Sequence, residues 1–471
     1  MKTVFDTIEK LRATSSTKAK LAILEEAAED RDLRAFLRMT YEPRINFYIK
    51  KVQPELGGGI TNFGSPDRVF DFDLMAEIYD TIAKRELTGS AARIWLANIY
   101  HDLKDGWSKE LLQLLIQRDV QAGISAGTIN KVWAGLVTDV PYMRCSLPSD
   151  VDLASWPWAR GVFSQIKADG QYANVSHHKG GTVTIESRAG SPMPLDYFQD
   201  LVAEIKKYIP EGMQLHGELL MIDPNGKIML RAEGNGKFNT LLQSGDLEPG
   251  YTPVYHAWDM IPITEARVKN KFNVPYETRF NALRGNLADT DGNSPLQLIE
   301  YKIVYSLKEA YQHAKEAMKN KLEGTVIKHP DGIWEDSSGS KNQVKLKLQM
   351  DIDARVVGFK AADSKSRNKD LFGSLMCESE CGKVRFNVSG IKDDKRKDLH
   401  ARKDQILGKL IITVSCNGLQ EPSADTDGYW SVFLPRFQEE RLDKTQADTL
   451  EQMLKIQENS IENGNIADKK K

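Results

Sequence analysis

Cysteine is scarce in this chain: 471 residues hold four, at Cys145, Cys377, Cys381 and Cys416. That scarcity argues against a disulfide framework. Cys377 and Cys381 have no second Cys or His pair after them at the spacing of a closed, four-ligand zinc site. Long apolar runs are also missing. No stretch of about 18 apolar residues occurs, so no membrane-spanning helix is expected. The opening segment MKTVFDTIEKLRATSSTKAK carries charge where an export signal has an apolar stretch. A cytoplasmic protein with free thiols is therefore expected. Nor is there an excess of charge of one sign: 64 Lys and Arg stand against 66 Asp and Glu, for a net charge of −2. This excludes a uniformly basic nucleic-acid binder, but not a protein that segregates basic faces from acidic ones. No internal repeat is visible, which argues against a solenoid.

The chain is too long for one core, and two or three domains are expected. Residues 1 to about 135 read as helical. Leu33, Phe36, Leu37 and Tyr41 share one helix face, and further helical stretches cover Ala91–Ile99 and Lys109–Arg118. The segment VPYMRCSLPSDVDLASWPW reads as a connection. Short alternating runs come after it, at Val162–Ile166, Thr182–Ile185 and Gln214–Met221. A helix is predicted within 301–328, with Ser306 and Glu309 as a capping box and Ala310, Ala314 and Ala317 on one face. The strand Gly324–Lys328 comes next. The mixture implies an α+β core. From about Asp351 the runs DARVVGF, SLMCESE, KVRFNV, KLIITVSC and GYWSVFLP predict five short strands, the number in a small barrel such as the OB-fold. The polar end, ENSIENGNIADKKK, is expected to be disordered.

The most informative segment is Lys167-Ala168-Asp169-Gly170, at the end of a predicted strand. By itself K-x-D-G is weak, because an Asp-Gly surface turn explains the isolated motif better. Five further motifs at compatible spacing strengthen it: Ser187-Arg188-Ala189-Gly190, then His216-Gly217-Glu218-Leu219, Trp258-Asp259, Glu323-Gly324-Thr325-Val326-Ile327-Lys328, and Lys345-Leu346-Lys347. In a strand, Lys345 and Lys347 project from the same face while Val344, Leu346 and Leu348 take the other. Two like charges held together call for an anion between them.

In this order the motifs resemble the covalent nucleotidyltransferases, the superfamily of DNA ligases, RNA ligases and mRNA capping enzymes, over roughly residues 162–348. The resemblance implies that Lys167 attacks the α-phosphorus of ATP and carries AMP. An ammonium cannot attack, and Lys345, Lys347 and a bound metal would favour loss of its proton. It further implies that Lys347, with Lys345 and Lys341, meets the ATP phosphates and that Glu218 contacts the ribose. Glu218 and Glu323 would serve Mg²⁺, a metal suited to carboxylate, water and phosphate oxygens. Trp258 would stack on adenine, with core packing as its alternative, and Arg188 would belong to the cofactor-binding set and grip the 5′-phosphate of the nick. The sequence departs from the family pattern at two places. Tyr172 stands where the first motif, K-x-D-G-x-R, has Arg, and His216 stands where Asp usually precedes Gly-Glu.

Flanking segments favour DNA ligase over the relatives that share the core. Arg118–Val137 resembles the end of the helical DNA-binding domain of ATP-dependent DNA ligases, those of T-even-type bacteriophages most of all. There Gly123, Ser125, Thr128, Asn130 and Lys131 would meet DNA phosphate. FLPRFQEERLDK resembles the family's last motif, with Arg441, Asp443 and Lys444 as the matching residues, and that motif orients the pyrophosphate leaving group. The implied division is a helical DNA-binding domain at 1–136, a nucleotidyltransferase (adenylation) domain at 137–350, an OB-fold β-barrel at 351–456 and a disordered tail at 457–471, with a hinge near Asp351. The implied function is sealing of nicks in double-stranded DNA with ATP and Mg²⁺, by a monomer in the cytoplasm (of the host cell, if viral). The sequence identifies no protein partner.

Overall fold

The computed structural model describes residues 1–57, 67–229, 231–244, 247–362, 368–422 and 426–462. The chain divides into two compact units, each built from several segments. The first comprises Met1–Tyr142, Asp169–Asn270 and Arg279–Leu298; the second comprises Met143–Ala168, Lys271–Thr278 and Ile299–Lys471.

The first unit begins with helices Lys2–Arg12, Thr17–Glu26, Arg31–Tyr41, Phe72–Ile78, Gly89–Asp102, Gly106–Gln117 and Ala126–Val132. Asp30 starts the Arg31–Tyr41 helix by accepting from the N–H groups of Asp32 and Leu33. The predicted Leu33, Phe36 and Leu37 face is fully buried, in a core shared with Leu74, Leu96 and Leu111. The same unit holds a five-stranded sheet in the order Val183–Ser187, Gln171–His177, Met213–Ile222, Thr252–Pro262, Leu296–Leu298. The first three pairings are antiparallel and the last is parallel.

The second unit carries a sheet in the order Met143–Ser146, Ser337–Lys347, Gly324–Lys328, Val162–Ile166, Tyr301–Val304. Its first strand lies within the segment expected to be a connection, and pairs parallel with Ser337–Lys347 through an irregular register. Helix Leu307–Lys319 is capped by Ser306, whose hydroxyl accepts from the Glu309 N–H at 3.1 Å. Its buried Ala310 and Ala314 join Ile327, Val344 and Leu346 on one side of the sheet. The opposite side is thereby left for Lys167, Lys345 and Lys347.

Among the described residues the C-terminal barrel expected from the sequence is not found. Residues from Met350 onward form a five-stranded sheet in the order Arg385–Val388, Phe372–Glu378, Met350–Ala361, Ile411–Cys416, Arg436–Glu440. Among the described residues its two edges form no ladder; an isolated bridge joins Ser389 to Arg436. The run expected to supply a fifth barrel strand, GYWSVFLP, contributes Ser431–Val432 to a separate pair with Leu419–Gln420. Arg436–Glu440 takes the edge instead. It is largely exposed and charged, and its Glu440 is held by Lys395 and Arg402. The core of this open sheet is continuous with that of the preceding one: Ile352, Val414 and Met453 belong to the same cluster as Val344 and Leu346. Helix Leu450–Glu462 covers the first six residues of the expected tail; the remainder of the tail lies outside the described residues. Among the described residues no helix is long and apolar enough to cross a membrane.

Candidate active site

The residues expected to handle ATP and metal, Lys341 excepted, fall in two constellations, one in each unit. In the second unit Lys167 comes directly after strand Val162–Ile166, and its N–H donates to the Gly324 carbonyl at 2.9 Å. Its ammonium is ion-paired with Glu323. Lys345 pairs with Val326 and Lys347 with Gly324 across the antiparallel ladder, so both lysines stand on the face that Gln165 and Lys167 share. Lys347 is buried and donates to Asn417 Oδ1 at 3.3 Å. Burial first, then Lys345, Lys167 and Arg436, push its ammonium down to about 8, against the opposing pull of Glu323. Lys341 is exposed, beyond the ladder with Gly324–Lys328 and about 20 Å along the strand from Lys347.

Sequence reasoning missed several neighbours here. Lys328 is buried on the same face, 4.5 Å from the centre of the Tyr276 ring. Gln165 donates to the Tyr276 hydroxyl at 2.6 Å. Period-two alternation from Gly324 to Lys328 was the available signal for Lys328; nothing local pointed to Tyr276 or Asn417.

In the first unit strand Gln171–His177 runs antiparallel to Met213–Ile222, with Tyr172 paired to Glu218 and Asn174 to His216. The Gly170 N–H donates to Glu218 Oε1 at 3.2 Å. A Cβ at Gly170 would strike the Leu219 carbonyl, so glycine is required there. The Tyr172 hydroxyl donates to Asn174 Oδ1 at 2.8 Å and lies 2.7 Å from His216 Nδ1. Burial raises its phenol well above the ordinary value. Trp258 is the extra residue where the ladder shifts between His216–Asp259 and Gly217–Ala257. A bulge of this kind turns a side chain out of the alternating pattern. Its ring is half-buried, 5.8 Å from that of Tyr172. Next to it, buried Asp259 accepts two bonds from Arg279, at 2.9 and 2.8 Å.

Arg188 sits at the tip of a tight loop closed by the Ser187 N–H to the Ser191 carbonyl at 2.8 Å. Its guanidinium lies 4.2 Å from the centre of the Tyr142 ring. In the helical part, Ser125 caps helix Ala126–Val132 by accepting from the Thr128 N–H. Gly123 has φ +60°, and its carbonyl receives Lys20 at 3.4 Å. Asn130 bonds both the N–H and the carbonyl of Val137, a structural task. Lys131 is exposed.

The family model for the ATP-dependent DNA ligase domain matches residues 157–347. The DNA ligases of Enterobacteria phages T4 and T6 are each 30% identical over 488 aligned positions, covering 94% of this chain and 96% of theirs. This chain belongs to the ATP-dependent DNA ligases. The ligase accordingly seals nicks by adenylyl transfer, and family membership implies use of ATP and a divalent metal and binding to DNA. The solved structures named Pmar-Lig_Pre and Pmar-Lig_PreS3, each 20% identical, have TM-scores of 0.68 and 0.66. Each comparison covers 93% of this ligase and 99% of the solved chain, a likeness of fold.

Proposed function

We propose that Lys167 is the residue on which the ligase carries AMP. The observation that supports this best is the sheet face bearing Lys167, Lys345 and Lys347, with the carboxylate of Glu323 paired to Lys167. Cations gathered at that density suit a triphosphate. The Lys167 amine, once deprotonated, attacks the α-phosphorus of ATP; the bond to pyrophosphate breaks and a lysyl-AMP phosphoramidate forms. Lys345 and Lys347 offset the negative charge that develops at the α-phosphate. AMP then passes to the 5′-phosphate of the nick, and the 3′-hydroxyl displaces it.

The donors present fit Mg²⁺. Among the described residues no group of three or more His, Cys, Asp or Glu side chains could hold a metal, and Mg²⁺ characteristically takes one or two carboxylates with water and phosphate oxygens. Glu323 would be its principal ligand, with Glu218 as a second candidate, and the bound cation would draw Glu323 away from Lys167 and neutralise phosphate charge. We assign Glu218 to the ribose, Trp258 to adenine, and Arg188 to the 5′-phosphate. Gly123, Ser125, Thr128 and Lys131 are assigned to the DNA backbone, and Arg441, Asp443 and Lys444 to the pyrophosphate end of ATP. The helical segment 1–136 is the proposed DNA-binding domain and 137–350 the adenylation domain, acting as a monomer.

Intact mass after incubation with ATP and Mg²⁺, without DNA, tests the assignment. A gain of one AMP, absent from K167A, is the expected result; an equal gain in K167A moves the nucleophile elsewhere.

A further inference from the structure

The two departures from the family's motifs, Tyr172 and His216, are in contact with each other. Tyr172 has one hydroxyl proton, and Asn174 Oδ1 accepts it. His216 Nδ1, 2.7 Å away, must then donate. Asn174 and His216 are both buried, so the phenol is fixed from two sides. Tyr142 meets this fixed ring edge-on, with centroids 4.9 Å apart and planes at 85°. The exposed guanidinium of Arg188 rests on the Tyr142 ring. The Arg188 loop is seated on the same segment: a Cβ at Gly190, φ +90°, would meet Val140 and Pro43.

Among the described residues no ion pair to Arg188 is found. The contact is made by the guanidinium carbon over the ring, 4.2 Å from its centre, and a cation–π contact uses the charge without consuming any of the N–H donors. The ring therefore restrains the position of the cation without occupying the donors that grip a phosphate.

We propose that Tyr142, seated on the Tyr172–His216 pair, is a positioning residue that holds Arg188 ready for the 5′-phosphate of the nick. The inference rests on the assignment of Arg188 to that phosphate. It places Tyr142 in the DNA-dependent steps and leaves it out of self-adenylylation.

The full-length ligase and its Y142L, Y142F, R188A and Y142L/R188A variants would be compared in two assays. The first is the rate of AMP loading from ATP. The second is affinity for a nicked duplex bearing a 5′-phosphate against one bearing a 5′-hydroxyl, with kcat and KM for sealing. Y142L should load AMP at the wild-type rate but lose roughly tenfold in kcat/KM for sealing, together with its preference for the phosphorylated nick. Y142F, which retains the ring, should recover most of both. In the R188A background, Y142L should cause no further loss. If R188A keeps the 5′-phosphate preference, the role of Arg188 fails and the inference fails with it. If R188A loses that preference and Y142L keeps it, or if Y142L slows AMP loading as much as sealing, the inference alone is overturned.

Discussion

Gly324 lies directly across the ladder from Lys347, and the same glycine's carbonyl accepts the Lys167 N–H. One residue thus fixes the register of two lysines that the reaction is proposed to use. It has φ +132°, and a Cβ there would collide with the Leu346 carbonyl. The collision is with backbone, so no side-chain rotation relieves it.

G324A is therefore expected to cost about 1–3 kcal/mol of stability from backbone strain. It should also slow AMP loading, because the strands bearing Lys167 and Lys347 must move apart. Urea unfolding and the loading rate measure the two effects. An unchanged midpoint with an unchanged rate would show that position 324 tolerates a side chain.

Lys347 gives a pH dependence with a definite sign. Its folded value is about 8 against an ordinary 10.5. Between those values the unfolded chain binds more protons at this site than the folded one, so this contribution to stability rises with pH across the window. Below about pH 8 both states are protonated and the contribution is constant. Tyrosines such as Tyr172 and Tyr255, held protonated by burial in the fold, ionise in the unfolded chain at the alkaline end, so the informative quantity is wild type minus K347M. That difference in unfolding free energy should climb between pH 8 and 10.5; a flat difference would mean that Lys347 is solvated in the folded protein. Affinity for inorganic triphosphate should fall over the same range as the site loses its charge.

The reactive face was legible in the sequence because its signal is local. Alternation within QVKLKLQ put Lys345 and Lys347 on one side, and the buried Val344, Leu346 and Leu348 agree. The Ala310–Ala314 helix face was legible for the same reason. Closure of the C-terminal sheet was not, because closure depends on which strands pair, and pairing is set by partners far along the chain. KLIITVSC and DARVVGF do pair, whereas GYWSVFLP finds Leu419–Gln420. Arg436–Glu440, within the stretch that resembles the family's last motif, gave no strand signal, since four of its five residues are polar. Tyr172 could be identified from sequence as a departure, but its hydrogen bond to a second departure, 44 residues away, could not.

The Asp259–Arg279 fork is the buried ion pair beside Trp258, with both side chains under a tenth exposed. R279L would strand a carboxylate that also accepts from the Met260 N–H. A loss of about 3–5 kcal/mol is expected, as for other buried pairs broken on one side. The bulge that turns Trp258 outward lies at this point of the ladder, so the intrinsic fluorescence of Trp258 should shift as well, read by difference against W258F. A stability change below about 1 kcal/mol would assign the pair no structural weight.

Asp353 places the last motif's cations in competition between fold and substrate. Its carboxylate is buried and accepts from Thr413 at 2.6 Å, from Arg441 at 2.8 Å and from Lys444. Arg441 is held a second time by Asp443, at 2.9 and 2.7 Å. Arg441 and Lys444 are proposed to act on the pyrophosphate end of ATP, and a phosphate must then replace Asp353 as their partner. D353N keeps the shape and removes the competing charge. Stability should fall by about 1–3 kcal/mol, because hydrogen bonds to a charged acceptor are lost. The KM for ATP in AMP loading should fall severalfold, because the cations are no longer held as tightly. Chemical denaturation and loading rates across an ATP series would measure both quantities. Lower stability with an unchanged KM would confine Asp353 to the fold and remove the support this contact gives to the assignment of Arg441 and Lys444.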